Sequence, residues 1–163
     1  MKNKWIILPY EGLGVFKFKD TLEEVLTKAK TLTNKPLTSE PLREFDDEYI
    51  SVFLEDYRLL IVLYQDGQSI RYFDIRHDIY HMDVNLYKEK YVDLVKYYTE
   101  QDDEIKVDEI QHIFDTPKFG ISVGLESNRR NCILVYRKEY TQEINLGPDE
   151  IIEYLLGYNP LKE

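Results

Sequence analysis

Cysteine is almost missing from this chain: among 163 residues Cys132 stands alone, so no intramolecular disulfide braces the fold. Its setting, Asn131-Cys-Ile-Leu-Val-Tyr136, is that of a small buried hydrophobe rather than an activated thiol. Glycine and proline are scarce as well, at seven and six residues, which excludes collagen-like and low-complexity chains. No apolar run approaches the ~18 residues of a membrane-spanning helix. The stretch Met-Lys-Asn-Lys-Trp-Ile-Ile-Leu ends at Pro9, well short of the roughly 7–15 apolar residues of a signal sequence, so no export signal is expected and the cytoplasm is the expected location. Positive charge is the minority: 21 Lys and Arg face 31 Asp and Glu, a formal charge of −10. That is the wrong sign for a chain that binds by neutralising phosphates, and it argues against nucleic acid and anionic membranes as partners.

Catalytic signatures are lacking too. No serine stands in a Gly-x-Ser-x-Gly elbow. Gly12 and Gly14 are followed by a strand pattern and no third glycine, so no dinucleotide or phosphate cradle is written there. Neither an enzyme nor a cofactor is expected.

What the chain does have is apolar content, 43%, with 13% aromatics. A chain of this length buries roughly 70% of its unfolded surface, enough for a substantial core. A self-similarity organises it. Phe45-Asp46 followed by Tyr49-Ile-Ser-Val-Phe-Leu-Glu55 resembles Phe114-Asp115 followed by Phe119-Gly-Ile-Ser-Val-Gly-Leu-Glu126. Each leads through a polar turn, Asp56-Tyr57-Arg58 or Ser127 to Arg130, into a second apolar run, Leu59–Tyr64 or Cys132–Tyr136. Upstream of each pair lies a helical pattern. Leu22, Val25, Leu26 and Ala29 share one face behind Asp20, whose spacing to Glu23 fits a capping box; Tyr87, Tyr91, Leu94, Val95 and Tyr98 share another. The expected fold is therefore α+β, one domain over 1–163, with an antiparallel sheet built from two helix-plus-hairpin repeats, 1–80 and 81–163, and the helices on one face.

Local signals fill in the rest. Trp5–Leu8 and Gly14–Phe18 flank the turn Glu11-Gly-Leu-Gly14 and predict a short hairpin or crossing pair. Asp66-Gly67 predicts a type I′ turn joining Arg58–Gln65 to Gln68–Asp74. Thr33 to Pro41, with two prolines, predicts a mobile linker or binding loop. Asp108–Phe114 mixes helical and strand periods and is assigned to strand on the strength of the repeat. Tyr140–Leu146 reads as a strand, and Gly147-Pro148-Asp149-Glu150 opens a terminal helix that Gly157 closes.

Acidic residues gather around aromatics. Asp46, Asp47 and Glu48 with Tyr49 precede one hairpin, Asp56 and Tyr57 form its turn, and Asp102 and Asp103 precede the other. Carboxylates beside tyrosines suit an interface for a basic protein partner, the charges speeding encounter and Tyr49 and Tyr57 anchoring the contact; solvated loops of the same composition are the plain alternative. His77, His81 and Asp83 offer a metal reading and with it a metal- or ligand-dependent enzyme. Histidines at i and i+4 meet only on a helix, however, and Ile70–Ile75 just before them reads as strand, which favours a polar connection.

At Gly14-Val-Phe-Lys-Phe-Lys-Asp-Thr-Leu-Glu-Glu-Val25 the chain resembles small bacterial immunity proteins of toxin–immunity pairs, in which an aromatic strand runs into a Thr-x-Glu-Glu-Val helix. The repeated helix-and-sheet layout is also similar to the tandem-repeat β-lactamase inhibitor proteins. Both resemblances imply an inhibitory binding module, and no functional residue comes with either. Joined to the acidic clusters, they lead to the expectation of a cytoplasmic inhibitor that captures a basic toxin such as a nuclease. A structural accessory protein is the remaining alternative.

Overall fold

A computed structural model describes residues 5–44 and 46–140; the strand and helix expected over 140–157 therefore fall, apart from Tyr140, outside the described residues. Among the described residues strand outweighs helix, 41% to 19%. The chain opens with three two-residue strands, β1 (Ile7–Leu8), β2 (Gly12–Leu13) and β3 (Phe16–Lys17), which pair in that order. Helix α1 (Leu22–Leu32) follows, then β4 (Thr38–Glu44), β5 (Asp47–Leu54), β6 (Leu59–Tyr64) and β7 (Ile70–Ile75). A small hairpin, β8 (Tyr80–His81) and β9 (Val84–Asn85), leads to α2 (Tyr91–Gln101). Strands β10 (Lys106–Asp108), β11 (Ile113–Thr116), β12 (Ile121–Leu125) and β13 (Asn131–Tyr136) complete the described fold.

The main sheet has eight strands in the order β10-β11-β12-β13-β7-β6-β5-β4, all antiparallel. This corrects the expected α+β fold of two helix-plus-hairpin repeats. The chain is mostly β, with two helices among the described residues; α1 is followed by four strands of the main sheet and then the β8–β9 hairpin, and α2 by four strands of the main sheet, rather than by two each. The error has a physical source. Strand β4, Thr38-Ser-Glu-Pro-Leu-Arg-Glu44, lies on the sheet's edge with all seven positions exposed or half-buried, so it has no buried face to impose an apolar alternation. An edge is also where a strand tolerates proline, since the ring removes a donor that would point away from the partner. The segment read as a linker is in part this strand.

Several local expectations shift in the same way. The cap of α1 is Thr21, not Asp20: Thr21 and Glu24 form the reciprocal capping box. Asp20 instead accepts from the Lys17 N–H at 2.9 Å and pairs with Lys28 at 2.7 Å. At Asp66-Gly67 only Gly67 is left-handed, at φ 68°. The turn whose two central residues are both left-handed, as type I′ requires, is Met82-Asp83 in the β8–β9 hairpin, at φ 49° and 65°. Neither residue is glycine or asparagine, so the sequence gives no sign of it.

The sheet's two faces differ. Val25 and Ala29 of α1 and Tyr91, Leu94 and Tyr98 of α2 join one core with Trp5, Phe16, Val52, Ile61, Phe73, Ile121 and Ile133. Burying each large member stabilises the fold by about 1.5–3 kcal/mol. The opposite face carries a smaller, tyrosine-rich cluster: Tyr49, Val62, Tyr72, Leu134, Tyr136 and Tyr140. Strand β7 feeds both faces through a bulge. Val62 pairs with Tyr72 and Leu63 with Ile70, which skips Arg71. An extra residue in one strand lets consecutive side chains share a face, and so Arg71 lies with Tyr72 among the tyrosines while Ile70 and Phe73 stay in the main core.

Candidate functional site

Arg71 is 1% exposed, which a guanidinium tolerates only when its charge is answered. Its Nη1 donates to Glu44 Oε2 at 2.5 Å, and its Cζ lies 3.9 Å from the centre of the Tyr49 ring and 4.3 Å from that of Tyr140. Tyr72 donates its hydroxyl to the other Glu44 oxygen; burial and then the Glu44 carboxylate hold that phenol well above the usual tyrosine range. Glu44 ends β4 and Tyr49 lies near the start of β5, where Tyr49 pairs with Leu42. One buried arginine thus grips both strands of the β4–β5 hairpin just beneath its tip.

That tip carries Asp46, Asp47 and Glu48. All three are exposed, and none has an ion-pair partner among the described residues. Of the expected partner-binding residues these three form one accessible cluster on a fixed base. The others lie elsewhere or are spent on the fold. Tyr49 is 8% exposed beneath Arg71. Tyr57 sets its ring edge-on to Trp5 and His77 and donates its hydroxyl to the Leu32 carbonyl at 2.9 Å. Tyr49 is buried and Tyr57 half-buried. Asp56 accepts from the Thr33 hydroxyl at 2.7 Å and pairs with Lys35 at 3.1 Å, contacts that hold its carboxyl below the usual range. Asp102 is 3% exposed at the end of α2. Burial opposes its charge, yet the Thr116 hydroxyl at 2.6 Å and the Glu104 and Lys118 backbone N–H groups at 2.9 and 3.1 Å keep its carboxyl low. Asp103 is exposed.

Distance separates these groups further. Asp56 lies beyond the far end of β5, about 24 Å along the strand, and β11, to which Asp102 bonds, is five strand spacings from β5, again about 24 Å. Both spans exceed the ~10 Å over which exposed charges act on one another at 0.1 M salt. The acidic residues form separate clusters, not one surface.

The histidines do not converge. His77 meets Tyr57 edge-on. His81 is 3% exposed, stacked on Tyr98 and edge-on to Phe119, with Nδ1 2.7 Å from the Tyr98 hydroxyl; burial pushes its pKa down to about 4. Asp83 lies in the left-handed turn. Among the described residues no three His, Cys, Asp or Glu side chains are placed to hold a metal ion. Cys132 is 3% exposed, and burial, then the neighbouring Asp74 carboxylate, push its thiol well above the usual range.

Arg71 was not among the candidates from sequence. The available signal was a charge inside Ile70-Arg-Tyr-Phe-Asp-Ile75, a strand whose alternation is broken at that residue. No family model matches the chain, and no curated protein or solved structure matches it either. No helix among the described residues is long and apolar enough to cross a membrane.

Proposed function

We propose that the protein is an immunity-type inhibitor that captures and neutralises a basic protein toxin, such as a nuclease, in the cytoplasm, docking it on the tip of the β4–β5 hairpin. The observation that carries this reading is the exposed Asp46-Asp47-Glu48 triad, without an ion-pair partner among the described residues, on a base clamped by Arg71. Unpaired carboxylates raise the encounter rate with a cationic surface, and a clamped base lowers the ordering cost of holding it. The reading assigns the chain no catalytic step, and it moves the contact away from Tyr49, Asp56, Tyr57 and Asp102, whose side chains serve the fold.

The test pairs the chain with the product of the adjacent reading frame. Co-expression is expected to relieve that product's toxicity, and the purified partners are expected to associate more slowly as salt rises from about 50 to 300 mM. Asp46→Asn/Asp47→Asn/Glu48→Gln should slow association about tenfold or more at low salt, flatten its salt dependence and leave the melting midpoint unchanged. Association that ignores both salt and the triple substitution would refute docking at the tip, and a neighbouring product that is neither toxic nor bound would refute the inhibitor reading.

A further inference from the structure

A cleft of about 620 Å³ opens between the three-stranded sheet and the end of β13, with Lys17, Lys19, Arg137 and Lys138 around it and Tyr10 and Phe18 as its aromatic walls. Both banks are pinned. On one, the Phe18 N–H donates to Glu11 O at 2.9 Å and the Ile70 N–H to Phe18 O at 2.7 Å; on the other, the Tyr136 N–H donates to Gly120 O at 3.0 Å and the Arg137 N–H to Arg71 O at 3.3 Å. The Tyr10 ring is held as well: its hydroxyl donates to the Pro117 carbonyl, and Gly120, at φ 67°, leaves it room, since a Cβ there would lie 2.9 Å from Tyr10 Cε1.

The charges are unusual for this chain. Two carboxylates, Glu11 and Glu139, also line the cleft, and Glu139 is engaged by Arg137 at 2.9 Å. Lys17, Lys19 and Lys138 have no carboxylate within ion-pair distance among the described residues. A protein with a formal charge of −10 has carboxylates to spare, yet three ammonium groups line one concavity with no ion-pair partner among the described residues, an arrangement whose mutual repulsion a bound anion would relieve. Lysine ammonium groups serve as point-charge binders of phosphate, and the volume falls within the roughly 300–1,000 Å³ of small-molecule sites.

We propose that this cleft binds a phosphorylated small molecule carrying at least two negative charges, its phosphoryl group among Lys17, Lys19 and Lys138 and the rest of it against Tyr10 and Phe18. The cleft shares no lining residue with the β4–β5 tip, so its failure would leave the inhibitor reading untouched.

Calorimetric titration of the full chain with inorganic pyrophosphate tests it. Saturable binding with a Kd below about 1 mM at low salt is expected, together with a rise in melting midpoint as pyrophosphate increases. Lys17→Gln/Lys138→Gln should weaken binding about tenfold or more and Lys19→Gln about threefold, while Lys30→Gln, on the exposed side of α1, should leave it unchanged. The single Lys19 variant keeps the test decisive should the double variant unfold. Citrate is the comparison anion, expected to bind at least about tenfold more weakly. No binding of pyrophosphate, binding indifferent to Lys17, Lys19 and Lys138, equal loss in Lys30→Gln, or citrate as tight as pyrophosphate would each overturn the proposal.

Discussion

Replacing Arg71 with alanine is expected to cost about 3–5 kcal/mol, because it strips the Arg71–Glu44 pair of its buried cation. Two desolvated cation–π contacts, to Tyr49 and Tyr140, are lost with it, each worth up to about 2 kcal/mol. In a chain of this size the melting midpoint should fall by about 6–20 °C. Lysine is not a conservative replacement, since a point charge cannot lie flat between two rings while also reaching Glu44. A double substitution separates the causes. Arg71→Met alone takes the guanidinium from Glu44, whereas Arg71→Met/Glu44→Gln removes both charges of the pair and should recover part of the loss in urea melts. If the double variant is no more stable than Arg71→Met, the pair is not what holds the hairpin, and the clamp beneath the acidic tip is wrong.

Acidification should reveal His81 as the next largest effect. The unfolded chain takes up a proton on this ring near pH 6.5, while the folded chain resists until about pH 4. The unfolded state therefore binds more protons across that interval, and stability falls as pH drops from 6.5 towards 4, by about 3 kcal/mol in all at 1.36 kcal/mol per unit. His81→Phe keeps a flat ring on Tyr98 and cannot be protonated. It loses the bond to the Tyr98 hydroxyl at every pH, so the informative quantity is the slope: urea melts at pH 7, 6, 5 and 4.5 should show a shallower acid-side decline than wild type. Parallel slopes would mean that the ring titrates normally in the folded protein.

The parts of the fold legible in the sequence were those with a buried face. The apolar runs of β5, β6, β12 and β13 and the helical stripe Val25-Ala29 all pack into the core, and burial is what writes a period into a sequence. The edge strands β4 and β10 carry almost no buried positions and left no period to read. The pairing of β7 with β13 is a tertiary choice that no local window contains. The candidate site was half visible: a run of acids announces itself by composition, whereas the burial of Tyr49 and Asp102 depends on what lies across the sheet. The bulge that turns Arg71 inward appears locally only as an irregular alternation.

The seam between β7 and β13 also bears on how the chain reaches its structure. Among the described residues every other pairing in the main sheet joins strands consecutive in the chain, closed by turns; the seam alone is non-local, matching Ile75 with Ile133, fifty-eight positions later. Loop-closure entropy grows with the logarithm of separation, about 0.6 kcal/mol per doubling, so this one step concentrates the non-local ordering that slows sheet formation. Hairpins assemble within about 1–10 μs, which makes meeting at the seam the slow event. Truncating Phe73 or Val135, which face each other there, should mainly slow refolding, and truncating Leu42 on edge strand β4 should mainly speed unfolding. Chevron kinetics of the three variants would display the division, and a seam already matched in the transition state would make the centre of the sheet, not its hairpins, the folding nucleus.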